Sequence, residues 1–239
     1  MESVTRKEVK SMQFLSCKFI KTGGHFIMAQ KIKNNRNLPT TNEILINKKF
    51  NIEVLISLLL ESKWNREMKE EHRYIYKNNI SYADLAKVAG VSINTFKKGL
   101  SNLIELGYIR KKEFNGEEVY IIPQKYKDGH LMFEVDFLNR LLSLFKKNLI
   151  KTYLQYYKYC YKNGNTGVYR ISQKETLKAI GLNNKSESNV SKLKDINTLL
   201  KMVGLIEITT KNRATGTVLE IRCPHYTETK LYKELKSNK

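Results

Sequence analysis

Along the chain, stretches in which apolar residues recur every three or four positions give way to short stretches of alternating apolar and polar residues, and this succession occurs twice. The first period is that of a helix with one buried face, and the second is that of a strand. Ile52 to Trp64 carries Ile52, Leu55, Ile56, Leu59 and Leu60 on one side and is predicted helical. Ser81 then stands before Tyr82-Ala83-Asp84, a helix cap with an acidic residue three positions on, and the helix it starts should run to about Ala89. Gly90 supplies the positive φ that a tight turn between crossed helices needs. Ser92 caps the next helix, whose Phe96, Leu100, Leu103 and Gly107 keep helical spacing and face a core. Tyr108 to Phe114 and Glu117 to Ile122 read as two strands around Asn115-Gly116, a pair suited to a two-residue turn, and Pro123 ends them.

The second succession is longer. Asp136 to Lys162 is a strong helical stretch, with Phe137, Leu141, Leu144, Phe145, Leu149, Tyr153 and Tyr157 inward and Lys151, Lys158 and Lys162 on the wetter side. Its length implies a break or a bridging helix, and Asn163-Gly164 is a natural stop. The run Thr152 to Tyr161 suits base stacking in its composition, but its helical spacing favours packing. Ser172-Gln-Lys-Glu175 is a capping box, Thr176 to Ile180 is helical, and Gly181 breaks the helix. Another helix should begin at Ser186 or Ser188 and reach Met202, burying Val190, Leu193, Ile196, Leu200 and Val203. Gly204-Leu-Ile-Glu then matches Gly107-Tyr-Ile-Arg, and the extra length of this copy falls at Asn183 to Ser188 in its turn. Glu207 to Thr210 and Thr217 to Arg222 are expected strands around a tip, Lys211 to Gly216. The first 40 residues read as a basic arm or a hairpin, Gln13 to Ile20 with His25 to Ala29, followed by a loop from Lys31 to Pro39.

Helix, tight turn, helix and hairpin in this order resemble the winged helix-turn-helix family, as does the placing of Ala86 before and Phe96 after Gly90. The expected fold is α+β, mostly helical, with two winged helix-turn-helix domains joined by a long helical segment. The expected divisions are the arm at 1–40, the first winged domain at 41–130, the second at 131–225 with its long leading helix, and a basic tail at 226–239. The family presents the N-terminal half of its second helix and the hairpin to a DNA duplex. The resemblance therefore assigns DNA contact to Ser92, Asn94, Thr95, Lys97, Lys98 and Ser101 on the first such helix, and to Lys111 and Lys112 on its wing. In the second copy it assigns Lys185 in the turn, Ser188, Asn189, Ser191, Lys192 and Lys194 on the helix, and Lys211 and Arg213 at the wing tip. All are small and polar or basic, while Glu105 and Asp195 are the acidic neighbours on the two helices.

Charge strengthens the case for a polyanionic partner. The formal net charge is +20 over 239 residues, and no acidic residue falls between Asp136 and Glu175. Residues 41–130 hold 15 Lys and Arg against 12 Asp and Glu, whereas residues 131–239 hold 20 against 9, so the second half is the more cationic. The longest apolar run, Val54 to Leu60, is far short of the roughly 20 residues that span a bilayer, and the basic N-terminus lacks the apolar core of a secretory signal. No membrane partner and a cytoplasmic location are the expectations. Cys17, Cys160 and Cys223 are scattered and are expected as free thiols. Cys223 with His225 has no second pair at zinc spacing, so neither metal nor cofactor is expected. Phosphate-binding glycine loop, nucleophile elbow and His-x-His pair are all missing from the sequence, which points away from an enzyme.

At the level of architecture, residues 45–225 resemble plasmid replication initiators of the two-winged-helix type. The resemblance implies a sequence-specific double-stranded DNA-binding protein that grips origin repeats through both domains. A winged-helix transcription regulator of a plasmid or phage is the alternative, and a non-enzymatic replication or partition adaptor is a third reading. A homodimer and contacts with replication or transcription machinery are the further partners this layout leaves open.

Overall fold

A computed structural model describes residues 35–39, 47, 49–64, 72–123, 126, 129–162, 168–213 and 216–237. Within them the fold is α+β, with helices packed against three small antiparallel sheets. Strand β1 (Asn35–Pro39) pairs with β6 (His130–Glu134), register Leu38 to Leu131. The loop expected over Lys31 to Pro39 is thus a strand in its described part, because Leu38 is fully buried and Arg36 donates from Nε to the Leu59 carbonyl at 2.6 Å. The hairpin expected at Gln13 to Ala29 lies outside the described residues.

Helix α1 (Ile52–Glu61) starts at Asn51, whose side chain accepts from the Val54 amide, and is apolar nearly all round. A helix of that kind belongs in the middle of a core, and α1 packs on α2 (Tyr82–Ala89), α3 (Ile93–Glu105), α4 (Val135–Leu144) and α5 (Lys147–Lys162). It ends three residues before the expected Trp64. Ser62 turns extended, with Arg73 donating to its hydroxyl at 2.8 Å and its carbonyl at 3.0 Å, and β2 (Lys63–Trp64) pairs with β3 (His72–Tyr76) instead. Ser81 and Ser92 cap α2 and α3 as their sequence predicts, and Gly90 between them is left-handed at φ 64°. At Gly99 a β-carbon would lie 2.8 Å from Val54 Cγ2, which is how closely α3 crosses α1. Strands β4 (Arg110–Phe114) and β5 (Glu117–Pro123) are joined by Asn115 and Gly116 at φ 52° and 78°, the positive pair that such a two-residue turn demands. The sheet order is β2-β3-β5-β4.

The long stretch after Asp136 is broken. Phe145 is extended (φ −126°, ψ 149°) and buries its ring, separating α4 from α5. Lys151, expected on the wet face, is 2% exposed: Nζ donates to the Asn47 carbonyl at 3.2 Å and lies 5.9 Å from the Phe50 ring. Tertiary cover from the segment before α1 puts that face of α5 inside. Lys158 is half-buried, and the side chain of Lys162 and the stop at Asn163-Gly164 lie outside the described residues.

Strand β7 (Tyr169–Ser172) leads into α6 (Gln173–Ala179) through the Ser172 and Glu175 capping box. Gly181 is left-handed at φ 79°, and Ser186 caps α7 (Glu187–Met202). Leu193, Ile196 and Leu200 are buried as expected, Val190 and Val203 only partly, and Asn197 joins the inner face by accepting from Tyr156 Oη at 3.0 Å. Strands β8 (Glu207–Arg213) and β9 (Gly216–Arg222) then complete a sheet of order β7-β9-β8. The expected tip at Lys211 to Gly216 is shorter, since Lys211 pairs with Val218 and Arg213 with Gly216 inside the ladder.

The expected basic tail is structured too. Tyr226–Glu228 makes a helical turn and α8 (Lys230–Ser237) returns to β6 and α4, where Tyr232 Oη donates to Glu134 at 2.8 Å and Lys236 at 2.9 Å. One continuous apolar core runs from Leu38 to Leu231, taking in Phe96, Phe133, Tyr153, Leu200 and Ile221.

Candidate nucleic-acid interface

The two halves repeat one plan. In the first, β3, α2, α3, β4 and β5 follow in sequence, and in the second β7, α6, α7, β8 and β9 do. In each, the strand that precedes the helices pairs with the last strand of the hairpin, giving β3-β5-β4 and β7-β9-β8. The opening strands are among the elements that the sequence did not announce. Each is only five or four residues long, and its signal is a tyrosine-bearing apolar alternation, Tyr74-Ile75-Tyr76 and Tyr169-Arg170-Ile171.

On α3 the expected residues share one exposed face: Ser92, Asn94, Thr95, Lys97, Lys98 and Ser101 are all exposed, while Phe96, Gly99, Leu100 and Leu103 are buried. They are not equivalent. Ser92 Oγ accepts from the Thr95 amide at 3.2 Å and lies 2.9 Å from Thr95 Oγ1, so both hydroxyls help to hold the helix start. Lys97 Nζ sits 5.4 Å from the centre of the Tyr82 ring, an aromatic platform on α2 that steadies the ammonium without neutralising it. Lys98 has no carboxylate partner among the described residues, and Glu105, at the far end, is engaged by Lys49 at 2.8 Å. Lys146, in the break between α4 and α5, directs Nζ at the Gly90 carbonyl at 3.5 Å and adds a cation beside the turn; the sequence implied a break or a bridging helix without placing either.

On α7 the corresponding face carries Ser188, Ser191, Lys192 and Lys194, all exposed, with Lys185 exposed in the turn before it. None of these three lysines has a carboxylate partner among the described residues. Asn189 differs, because its amide donates to the Asn183 carbonyl at 3.0 Å and ties the helix to its longer turn. The six-residue excess thus has a structural anchor.

The hairpins are electrostatically quieter than the helices. Lys111 lies 3.8 Å from Glu118, whose other oxygen takes Lys77 at 2.8 Å, and that hydrogen bond holds the Glu118 carboxyl below its ordinary value. Lys211 contacts Glu220 at 2.9 Å and Arg170 contacts the same carboxylate at 2.8 Å, which lowers its proton affinity in the same way. Lys112 is exposed and has no carboxylate partner among the described residues. Arg213 ends β8 on the hairpin. The arrangement therefore puts lysines without carboxylate partners among the described residues on the second helix of each repeat, whereas on the sheets Lys111, Lys211 and Arg170 are engaged by glutamates and Lys112 is not. Ammonium groups in such rows are donors for phosphate oxygens, and short polar side chains between them leave room for base edges.

Among the described residues no helix is long and apolar enough to cross a membrane. A scan against protein-family models finds no match for the chain, and a search of curated proteins finds none either.

Proposed function

We propose that the chain is a sequence-specific double-stranded DNA-binding protein built on two winged-helix domains. The observation that carries this reading is the repeated strand, helix, helix, hairpin plan in which the second helix of each copy exposes lysines free of carboxylate partners among the described residues. On this reading α3 and α7 are the recognition helices. Asn94, Ser101, Ser188 and Ser191 face base edges, Lys97, Lys98, Lys192 and Lys194 bind phosphates, and Lys185 and Lys112 extend the grip to the flanking backbone. Ser92 and Thr95 act through the helix start, Asn189 through its turn, and Lys111 and Lys211 are held back by their glutamates. The narrower form of the proposal is a replication initiator of a plasmid or other mobile element. It rests on the tandem plan, which suits repeated origin sites.

The test is binding to DNA fragments flanking the chain's own gene, by anisotropy across a salt series. Two grips of this kind should give a steep negative slope of log affinity against log salt, flattened by roughly 0.9 for each phosphate-binding lysine removed. Joint replacement of Lys97, Lys98, Lys192 and Lys194 by Ala should flatten the slope and cost orders of magnitude in affinity, and the pair Lys111→Ala with Lys211→Ala should cost much less. Unchanged binding by the quadruple variant defeats the assignment of both helices.

A further inference from the structure

Two neighbouring side chains open α3 and differ in kind from the rest of its outer face. Ile93, the first residue of the helix, is a large apolar side chain left 44% exposed. Asn94, the second, is exposed, and its carboxamide has no hydrogen-bond partner among the described residues. Other asparagines of α3 and α7 are engaged: Asn102 donates to the Lys49 carbonyl at 3.2 Å, Asn189 to the Asn183 carbonyl at 3.0 Å. A lone exposed apolar residue needs no explanation. This one stands beside an amide whose donor and acceptor are both unused, at the helix end that the proposed function turns toward the major groove. We propose, resting on that function, that Ile93 and Asn94 make the first repeat a reader of A·T pairs. Asn94 holds the edge of an adenine, and Ile93 packs on the 5-methyl group of a thymine.

The chemistry is that of the major groove. A carboxamide accepts from adenine N6 and donates to N7 at once, and only thymine offers a methyl group there for an apolar contact. Side chains of a helix lean toward its N-terminus, so those of the first turn project past the helix end. Consecutive Cα atoms are about 3.8 Å apart and stacked bases about 3.4 Å, so the two residues meet one base pair or two adjacent ones. Lys97 and Lys98 follow Ile93 and Asn94 by four positions each, on the same sides of the helix, and their phosphate contacts would fix the depth of both. In α7 the positions after the cap Ser186 hold Glu187 and Ser188. Glu187 suits a helix N-terminus by its charge, and a serine hydroxyl bonds to any base. Neither reproduces the pair, so the A·T preference belongs to the first repeat.

The test begins with duplexes selected by the full chain from a random-sequence pool. Each thymine of the selected duplex is then replaced in turn by deoxyuridine, which lacks the methyl group, and each adenine by 7-deazaadenine, which lacks N7. One deoxyuridine should weaken the native chain on the order of fourfold, the worth of one buried methyl-sized group. One 7-deazaadenine should cost roughly fivefold or more. Ile93→Ala should become indifferent to that deoxyuridine, and Asn94→Ala to that 7-deazaadenine, while both keep the native salt slope because the lysines remain. The proposal is overturned, with the DNA function left standing, if both variants bind with the native salt slope and feel every replacement as the native chain does, or if the selected duplexes share no A·T pair. A native chain that selects no sequence and binds duplex without steep salt dependence overturns the DNA function and this inference together.

Discussion

At the scale of single residues, Lys151 is the side chain whose setting departs furthest from its chemistry. Burial, and secondarily Lys147, bring its ammonium down to about 8, and Glu53 opposes the shift only in part. Between that value and the ordinary 10.5 the unfolded chain binds the proton more often than the native one, so stability rises with pH through this window. Above pH 10 the sign reverses, because burial keeps Tyr153 and Tyr156 protonated in the fold while they ionise in the unfolded chain. Urea unfolding should accordingly show a gain on the order of 1 kcal/mol between pH 7.5 and 9. The Cys160 thiol, lowered in the fold to about 7, titrates with the same sign, so the comparison is made with Cys160 and Cys223 replaced by Ser; there Lys151→Met, which keeps the stem and removes the charge, should abolish the gain. An equal rise in the variant would place the titration elsewhere. Nothing in the sequence marks Lys151 as different from Lys158, since both keep the spacing of a wet helical face. Only Asn47 and Phe50, brought over α5 by the chain a hundred residues earlier, decide between them.

At the scale of elements, what was legible in the sequence is local chemistry, and what was not is long-range pairing. Ser81, Ser92 and Ser172 cap the helices their positions announced, and Gly90, Gly181 and Gly204 are all left-handed. Strand β1 was unreadable because its partner β6 lies nearly a hundred residues on, and β2 was unreadable because Arg73 reaching Ser62 ends α1 early. The candidate site divides the same way: the outward faces of α3 and α7 follow from helical period, whereas the neutralisation of Lys111 and Lys211 depends on cross-strand glutamates. The crossing of α1 and α3 gives this scale its prediction. Gly99→Ala ordinarily favours a helix by close to 1 kcal/mol. Here the added carbon meets Val54 Cγ2 at 2.8 Å and Asn51 Cβ at 3.3 Å, so overpacking should reverse the sign and destabilise by about 1–3 kcal/mol. Val54→Ala should recover much of the loss in a double-mutant cycle, and additive effects would show that the helices do not meet there.

At the scale of the whole molecule, the two repeats are not two independent bodies. Helix α1, which closes the core of the first repeat, also packs on α4 and α5, which lead into the second, and the aromatic cluster of Phe133, Phe137 and Tyr157 is closed by Tyr226 from the C-terminal segment. The described residues from 35 onward form one compact unit. A shared core makes unfolding cooperative across both repeats. Trp64, the single tryptophan, reports on the first repeat, and a fluorophore attached at an introduced cysteine in place of exposed Lys201, with the native cysteines replaced, reports on the second. Their urea midpoints should coincide within error, and a chain cut after residue 130 should not fold, because α1 would lose its cover from α4 and α5. Separate midpoints would mean that each repeat holds its own core. Under the proposed function they would also predict that either α3 or α7 can be silenced without changing the salt slope contributed by the other. In the single-core case α3 and α7 are held in one fixed register, so under the proposed DNA-binding function insertion of half a helical turn of DNA between their two contact sites should weaken binding far more than insertion of a whole turn.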